Sequence, residues 1–217
     1  MKKTLLAALA VLCVSALQAV TLTWNNTGTA FDGFTYSGDT KAVWSGNFSI
    51  TVNFTATSTP VTVFQLLTAN GANKAGELRF NSNNWSGNVA NFGTYNGNAS
   101  ATWVNSNGDF SNDRVVSADG SKSNTIKLTF DGYNAETKKY SSLKYDIIFA
   151  NGDQQSWTMN NGNLGFGMDE ISWTSLATGD GVTINSMTLE ATNVVPEPTA
   201  LALLALGVAG LALRRRA

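Results

Sequence analysis

The 217-residue sequence has no histidine, and its only cysteine is Cys13, inside an apolar run near the N-terminus. Imidazole bases, zinc held by Cys/His sets, thiol nucleophiles and internal disulfides are therefore excluded from any body that follows that run. Carboxylates remain. Asp169 and Glu170 are adjacent, so on a strand they would point to opposite faces and could not share acid and base work. Asn105-Ser106-Asn107-Gly108-Asp109, with Asp113 close by, gathers hard oxygen donors of the type calcium takes. The same residues are the ordinary material of a turn, and their spacing fits no EF-hand loop, so no metal is expected. Glycine-rich stretches lack the Lys and helix start that cradle a phosphate. No catalytic residue, metal ligand or cofactor is assigned.

The remaining chemistry is that of a binding surface. Of six tryptophans, Trp24, Trp44, Trp157 and Trp173 fall in or beside strand-like runs and read as core or sheet-face residues. Trp85 and Trp103 stand in a segment crowded with Asn, Gly and Ser that also holds Phe92 and Tyr95. Sugar rings stack on indoles while amides hydrogen-bond their hydroxyls, which makes Trp85 and Trp103 the candidate glycan-binding residues. Packing at the ends of a fold would use the same side chains.

Those residues must be positioned by strands. Apolar residues alternate with polar ones at Phe48, Ile50, Val52 and Phe54, at Ile126, Leu128 and Phe130, and at Leu143, Tyr145, Ile147 and Phe149. Further strands are expected at 20–24, 31–36, 61–67, 77–80, 101–104, 156–159 and 182–189, the last with a bulge near Asn185-Ser186. Asp131-Gly132, Asn151-Gly152 and Asn161-Gly162 carry turn chemistry. Many short strands with Gly/Asn turns and no helix in the body imply an all-β sandwich or jelly roll.

Both ends are built differently. Residues 1–19 form a secretory leader, with Lys2-Lys3, an apolar stretch over 5–12 and a small-residue cleavage site after Ala16 or Ala19. The second option leaves the chain starting in a strand at Val20. Residues 194–217 run Val194-Val195-Pro196-Glu197-Pro198, a short Ala/Leu/Gly apolar helix over 199–213, then Arg214, Arg215 and Arg216. Arginines in that place stop a single membrane span and stay cytoplasmic. Between 20 and 195 there are 14 acidic and nine basic residues, a net charge near −5, which disfavours nucleic acid.

The tail, with Pro196, Glu197 and Pro198 on the motif, resembles the PEP-CTERM sorting signal. That resemblance implies export, exosortase as a partner beside signal peptidase, a Gram-negative-type envelope, and a membrane helix before sorting. Through Gly46-Asn47-Phe48-Ser49-Ile50-Thr51-Val52, Asn124 to Gly132 and Gly167-Met168-Asp169-Glu170-Ile171, the body resembles the concanavalin A-like lectin/glucanase superfamily, its laminin-G-like members above all. The Glu-x-Asp-x-x-Glu strand of the glucanases there is missing. The expectation is a non-enzymatic surface or matrix protein with its sandwich at 20–193, binding exopolysaccharide or mediating adhesion. The rivals are a purely structural matrix protein and, third, a cryptic glycoside hydrolase.

Overall fold

The computed structural model describes residues 19–57, 62–67, 74–80, 90–94, 102–105, 123–149, 152, 154–166 and 170–196. Its strands are β1 (Val20–Asn25), β2 (Thr35–Ser37), β3 (Thr40–Ala56), β4 (Thr62–Leu67), β5 (Lys74–Phe80), β6 (Ala90–Thr94), β7 (Thr102–Asn105), β8 (Ser123–Asp131), β9 (Tyr140–Ile148), β10 (Gln154–Leu164), β11 (Ser175–Thr178) and β12 (Val182–Pro196). Residues 1–18 of the leader, Trp85, the loop at 106–113, Glu197, Pro198, the apolar segment at 199–213 and the three arginines lie outside the described residues.

The strands make two antiparallel sheets. One has seven strands in the order β1-β12-β3-β8-β9-β10, with β2 added to β3, and the other runs β11-β4-β5-β6-β7. Inward residues alternate as the sequence requires: Phe48, Ile50 and Val52 of β3 stand opposite Phe130, Leu128 and Ile126 of β8, and all six are buried. Phe64, Leu66, Leu78 and Phe92 supply the facing surface from the smaller sheet, each fully buried. The two layers are tied by more than apolar contact. The Phe92 ring stands 5.5 Å from Phe130, edge to face, and the Phe92 amide donates to the Tyr145 hydroxyl at 3.1 Å. Burial drives the Tyr145 phenol strongly upward, so it is neutral at any physiological pH.

One end of the core is aromatic. Phe48 stacks on Phe130 at 4.7 Å and touches Trp44, Tyr140, Phe166 and Trp173. Trp44 and Trp173, each about 1% exposed, meet edge to face at 4.9 Å, so two of the four tryptophans read as core or sheet-face residues are core. Gly46 makes the chain bend here. It takes φ +79°, which L side chains rarely adopt, and its carbonyl accepts the Tyr140 hydroxyl at 2.9 Å.

Some local expectations differ from the structure. Residues 31–34 are not a strand: Phe31 and Phe34 are both buried, three apart, with Gly33 at φ +114° between them. That spacing cannot alternate across a sheet, and only Thr35–Ser37 pairs. Asn161-Gly162 is not a hairpin turn. Strand β10 continues through it, with an irregularity in its pairing to β9 between Asn160 and Leu164. The expected bulge in β12 is present between Ile184 and Ser186.

Candidate functional site

The outer face of the seven-stranded sheet is assembled by register from residues that alternate with the core. Thr23, Thr188, Thr51, Lys127, Asp146 and Ser156 stand directly opposite one another on six successive strands. A second row beside it runs Thr21, Glu190, Ser49, Thr129, Lys144 and Thr158. The two rows carry hydroxyls and charges throughout, and every one of these side chains except Ser49 reaches solvent to some degree.

These groups hold one another in place. The Lys127 ammonium lies 2.6 Å from a Glu190 carboxylate oxygen, and the Ser49 hydroxyl donates to the same oxygen at 2.9 Å. Lys144 reaches Asp146 at 2.9 Å, and the Ser156 hydroxyl donates to Asp146 at 2.6 Å. Asn53 donates to the Thr125 hydroxyl at 3.1 Å and accepts from the bulged Asn185 at 3.0 Å. Over β3, β8, β9 and β10 this face dips into a groove of about 480 Å³, lined by Thr51, Thr125, Lys127, Lys144, Asp146 and Ser156 among others.

The electrostatics oppose acid catalysis. Hydrogen bonds from Lys127 and then Ser49 hold the Glu190 carboxyl below the ordinary carboxylate range. For Asp146, partial burial works upward, but the Ser156 hydroxyl and the Lys144 ammonium, with Lys127 behind them, outweigh it and leave the net direction downward. Both groups are ionised at neutral pH. Asp146 on β9 and Glu190 on β12 are three strands apart, so their backbones are separated by roughly 14 Å at strand spacing. A glycosidase pair keeps one member protonated, and neither carboxyl is held in that state here.

The residues named from sequence are placed as follows. Trp103 is on β7, opposite Gly93 of β6, while Trp85 lies outside the described residues. Glu170 is exposed at a bend just before Ile171, and Asp169 is outside the description. Pro196 closes β12 opposite Ala42 of β3. A second cleft, of about 330 Å³, lies beside Trp24, with Asn26, Thr29, Thr178 and Thr183 on its walls. Trp24 is half-buried there, its ring 5.5 Å from Phe31. Trp24 is thus a sheet-face residue, and its neighbours across the cleft come from β11 and β12, far along the chain, where no local signal marks them. Among the described residues no group of three acidic, His or Cys side chains is placed to hold a metal ion.

No curated protein matches the chain. Among solved structures it is similar to a peanut lectin with a bound nonapeptide (11% identity, TM-score 0.43, covering 84% of this chain and 100% of that one). It is also similar to galectin-Ib of Xenopus laevis (10%, TM-score 0.38, 79% and 98%) and to a PL-14 alginate lyase from Aplysia kurodai (7%, TM-score 0.34, 82% and 83%). Likenesses this distant carry no weight for ligand or reaction, and the all-β sandwich rests on the two sheets described above. The family model of the PEP-CTERM protein-sorting motif matches residues 194–216. The chain carries that sorting signal at its C-terminal end and is an exported, exosortase-sorted envelope protein.

Proposed function

We propose that the sandwich is a glycan-binding module displayed on the surface or in the extracellular matrix of a Gram-negative-type bacterium. In this reading signal peptidase removes 1–19 and leaves Val20 as the first residue of β1. The segment 199–213 holds the chain in the membrane, stopped by Arg214, Arg215 and Arg216, until exosortase acts at Pro196-Glu197-Pro198. The body catalyses nothing and needs no cofactor.

The observation that carries the binding reading is the groove on the seven-stranded sheet. Its lysines, carboxylates and hydroxyls are fixed by each other and by strands on a packed core, so a ligand would not have to order them. Each ammonium has three protons and each carboxylate several lone pairs, which leaves capacity for sugar hydroxyls. The two lysines are balanced by Asp146 and Glu190, and the body carries a net charge near −5. A neutral polysaccharide therefore suits it better than a polyuronate. Trp103, on β7 of the other sheet, and Trp85 are proposed as separate stacking platforms, worth on the order of 1 kcal/mol each, so tight attachment would come from dense display.

Electrophoresis of residues 20–196 through gels holding dextran or alginate tests this. Dextran should retard the chain more than alginate does, and the double substitution Lys127→Ala/Lys144→Ala should abolish retardation without lowering Tm appreciably. Trp85→Ala or Trp103→Ala should weaken it. The purely structural role has one observation in its favour, the complete internal pairing of both carboxylates. Unretarded migration in every polysaccharide would put that role first.

A further inference from the structure

The sorting motif begins inside the folded sheet. Strand β12 ends at Pro196, and the motif starts at residue 194, so three residues belong to both. Val194, Val195 and Pro196 pair with Trp44, Val43 and Ala42 of β3, and Asn193 pairs with Ser45. Only Glu197 and Pro198 separate this pairing from the apolar segment that starts at Thr199. Two residues span roughly 7 Å when fully extended. A peptidase that must accommodate the chain around Pro196-Glu197-Pro198 has almost no free backbone to grip while those rungs stay closed.

The end of β12 differs from the rest of it in three ways. A register shift between Ala191 and Asn193 separates it from the regular ladder. The partner on its other side stops there, because β1 reaches only the Val20–Ala191 pair; among the described residues nothing pairs with 193–196 except β3. Finally, its inward side is packed less deeply: Val194 is only partly buried against the core, whereas Met187, Leu189 and Ala191 of the regular ladder are buried. Few backbone bonds hold it as well, because Ala42 and Trp44 donate away from it, to the Phe34 and Ile171 carbonyls.

We infer that residues 193–196 are a releasable clasp, and that the sorting peptidase receives them as a strand peeled from β3. The irregularity at Thr192 is the hinge, and β1, β3 and the regular part of β12 stay folded. The released segment is already suited to a strand-accepting cleft. Val194 and Val195 are β-branched and favour extended backbone, and Pro196 holds the residue before it extended as well. Little ordering is then required when the segment passes from one strand partner to another.

This inference rests on the reading that the tail is processed at its Pro-Glu-Pro triplet, and the experiment separates the two. Val43 and Val195 are opposed, and Cys13 is the only native cysteine, so Val43→Cys/Val195→Cys places one disulfide across the clasp. Thr23→Cys/Thr188→Cys places one between β1 and β12 outside it; the two native hydroxyls there are 3.3 Å apart. The full chain is expressed in cells with the sorting system, and unprocessed and processed forms are compared on gels with and without reductant. The clasp lock should raise the unprocessed form at least tenfold, reductant should reverse this, and the outer lock should behave as wild type. Processing of the oxidised clasp lock at the wild-type rate overturns the clasp. Replacing Pro196, Glu197 and Pro198 by Ala is the parallel arm: unchanged processing there overturns the sorting reading itself. Should the clasp disulfide not form, amide exchange on the full-length chain decides. The amides of Asn193 and Val195 should exchange at least tenfold faster than that of Leu189, and equal protection refutes the inference.

Discussion

The two faces of the seven-stranded sheet are made by the same strands and held by different physics. On β3, Phe48, Ile50, Val52 and Phe54 point inward and are essentially inaccessible, while Thr51 and Asn53, one residue away, line the outer face. Inside, rings and aliphatic chains are close-packed, and any lost volume leaves a void. Outside, hydroxyls, amides and ion pairs rest in water, where each contact replaces one that solvent would make anyway. The inner face determines whether the molecule folds. The outer face is free to be selected for what it touches.

The sharpest test of that contrast uses close neighbours on one strand. Phe48→Ala removes a ring in contact with five other aromatic side chains and should cost about 3–5 kcal/mol. Thr51→Ala should change stability by about 0.5 kcal/mol or less. Urea denaturation of both variants measures the difference, and comparable costs would break the division between the faces.

An intermediate effect is expected where a polar group enters the inner face. Tyr145→Phe keeps the ring but removes the oxygen that accepts the buried Phe92 amide. An unsatisfied buried donor costs about 1–3 kcal/mol. The loss should be visible as a lower Tm and as faster amide exchange in β6, while far-ultraviolet circular dichroism stays unchanged.

The smallest effect belongs to the outer ion pairs. Folding lowers the pKa of both Asp146 and Glu190. The stability they contribute is therefore complete above the ordinary carboxylate range and is lost as pH falls through their folded values. Glu190 is about half exposed, so after solvent screening Glu190→Gln should cost no more than about 0.5 kcal/mol near neutrality. It should also flatten the decline in Tm below about pH 4.5. A larger cost would mean that the outer face helps to hold the fold.

The inner face was the legible one. Alternation at Phe48–Ile50–Val52–Phe54 and at Ile126–Leu128–Phe130 is local, and a period of two specifies a strand with one dry side. Strand β6 was missed because Ala90-Asn91-Phe92-Gly93-Thr94 has one large apolar residue and a glycine, too little pattern to register. Strand β3 begins at Thr40, well before its visible alternation, because Gly46 interrupts the period with its positive φ. For the outer face, the residue types could be read but not their companions. Lys127 and Glu190 are 63 positions apart and meet only because β12 and β8 flank β3. The tail motif was legible in full, being a contiguous string, but its overlap with a strand depends on Ala42 and Val43, far upstream.

The place of β12 in the sheet sets how the molecule would bear a load. It is the second strand from the edge, paired to β1 from Ser186 to Ala191 and to β3 from Val182 to Pro196. A pull on the tail along the strand loads its rungs in shear, and the short clasp, bonded on one side only, gives first. The pull then meets a strand bonded on both sides, whose rungs lie across it and must shear together. A surface protein tethered through this strand would give slightly under the first tension and then hold.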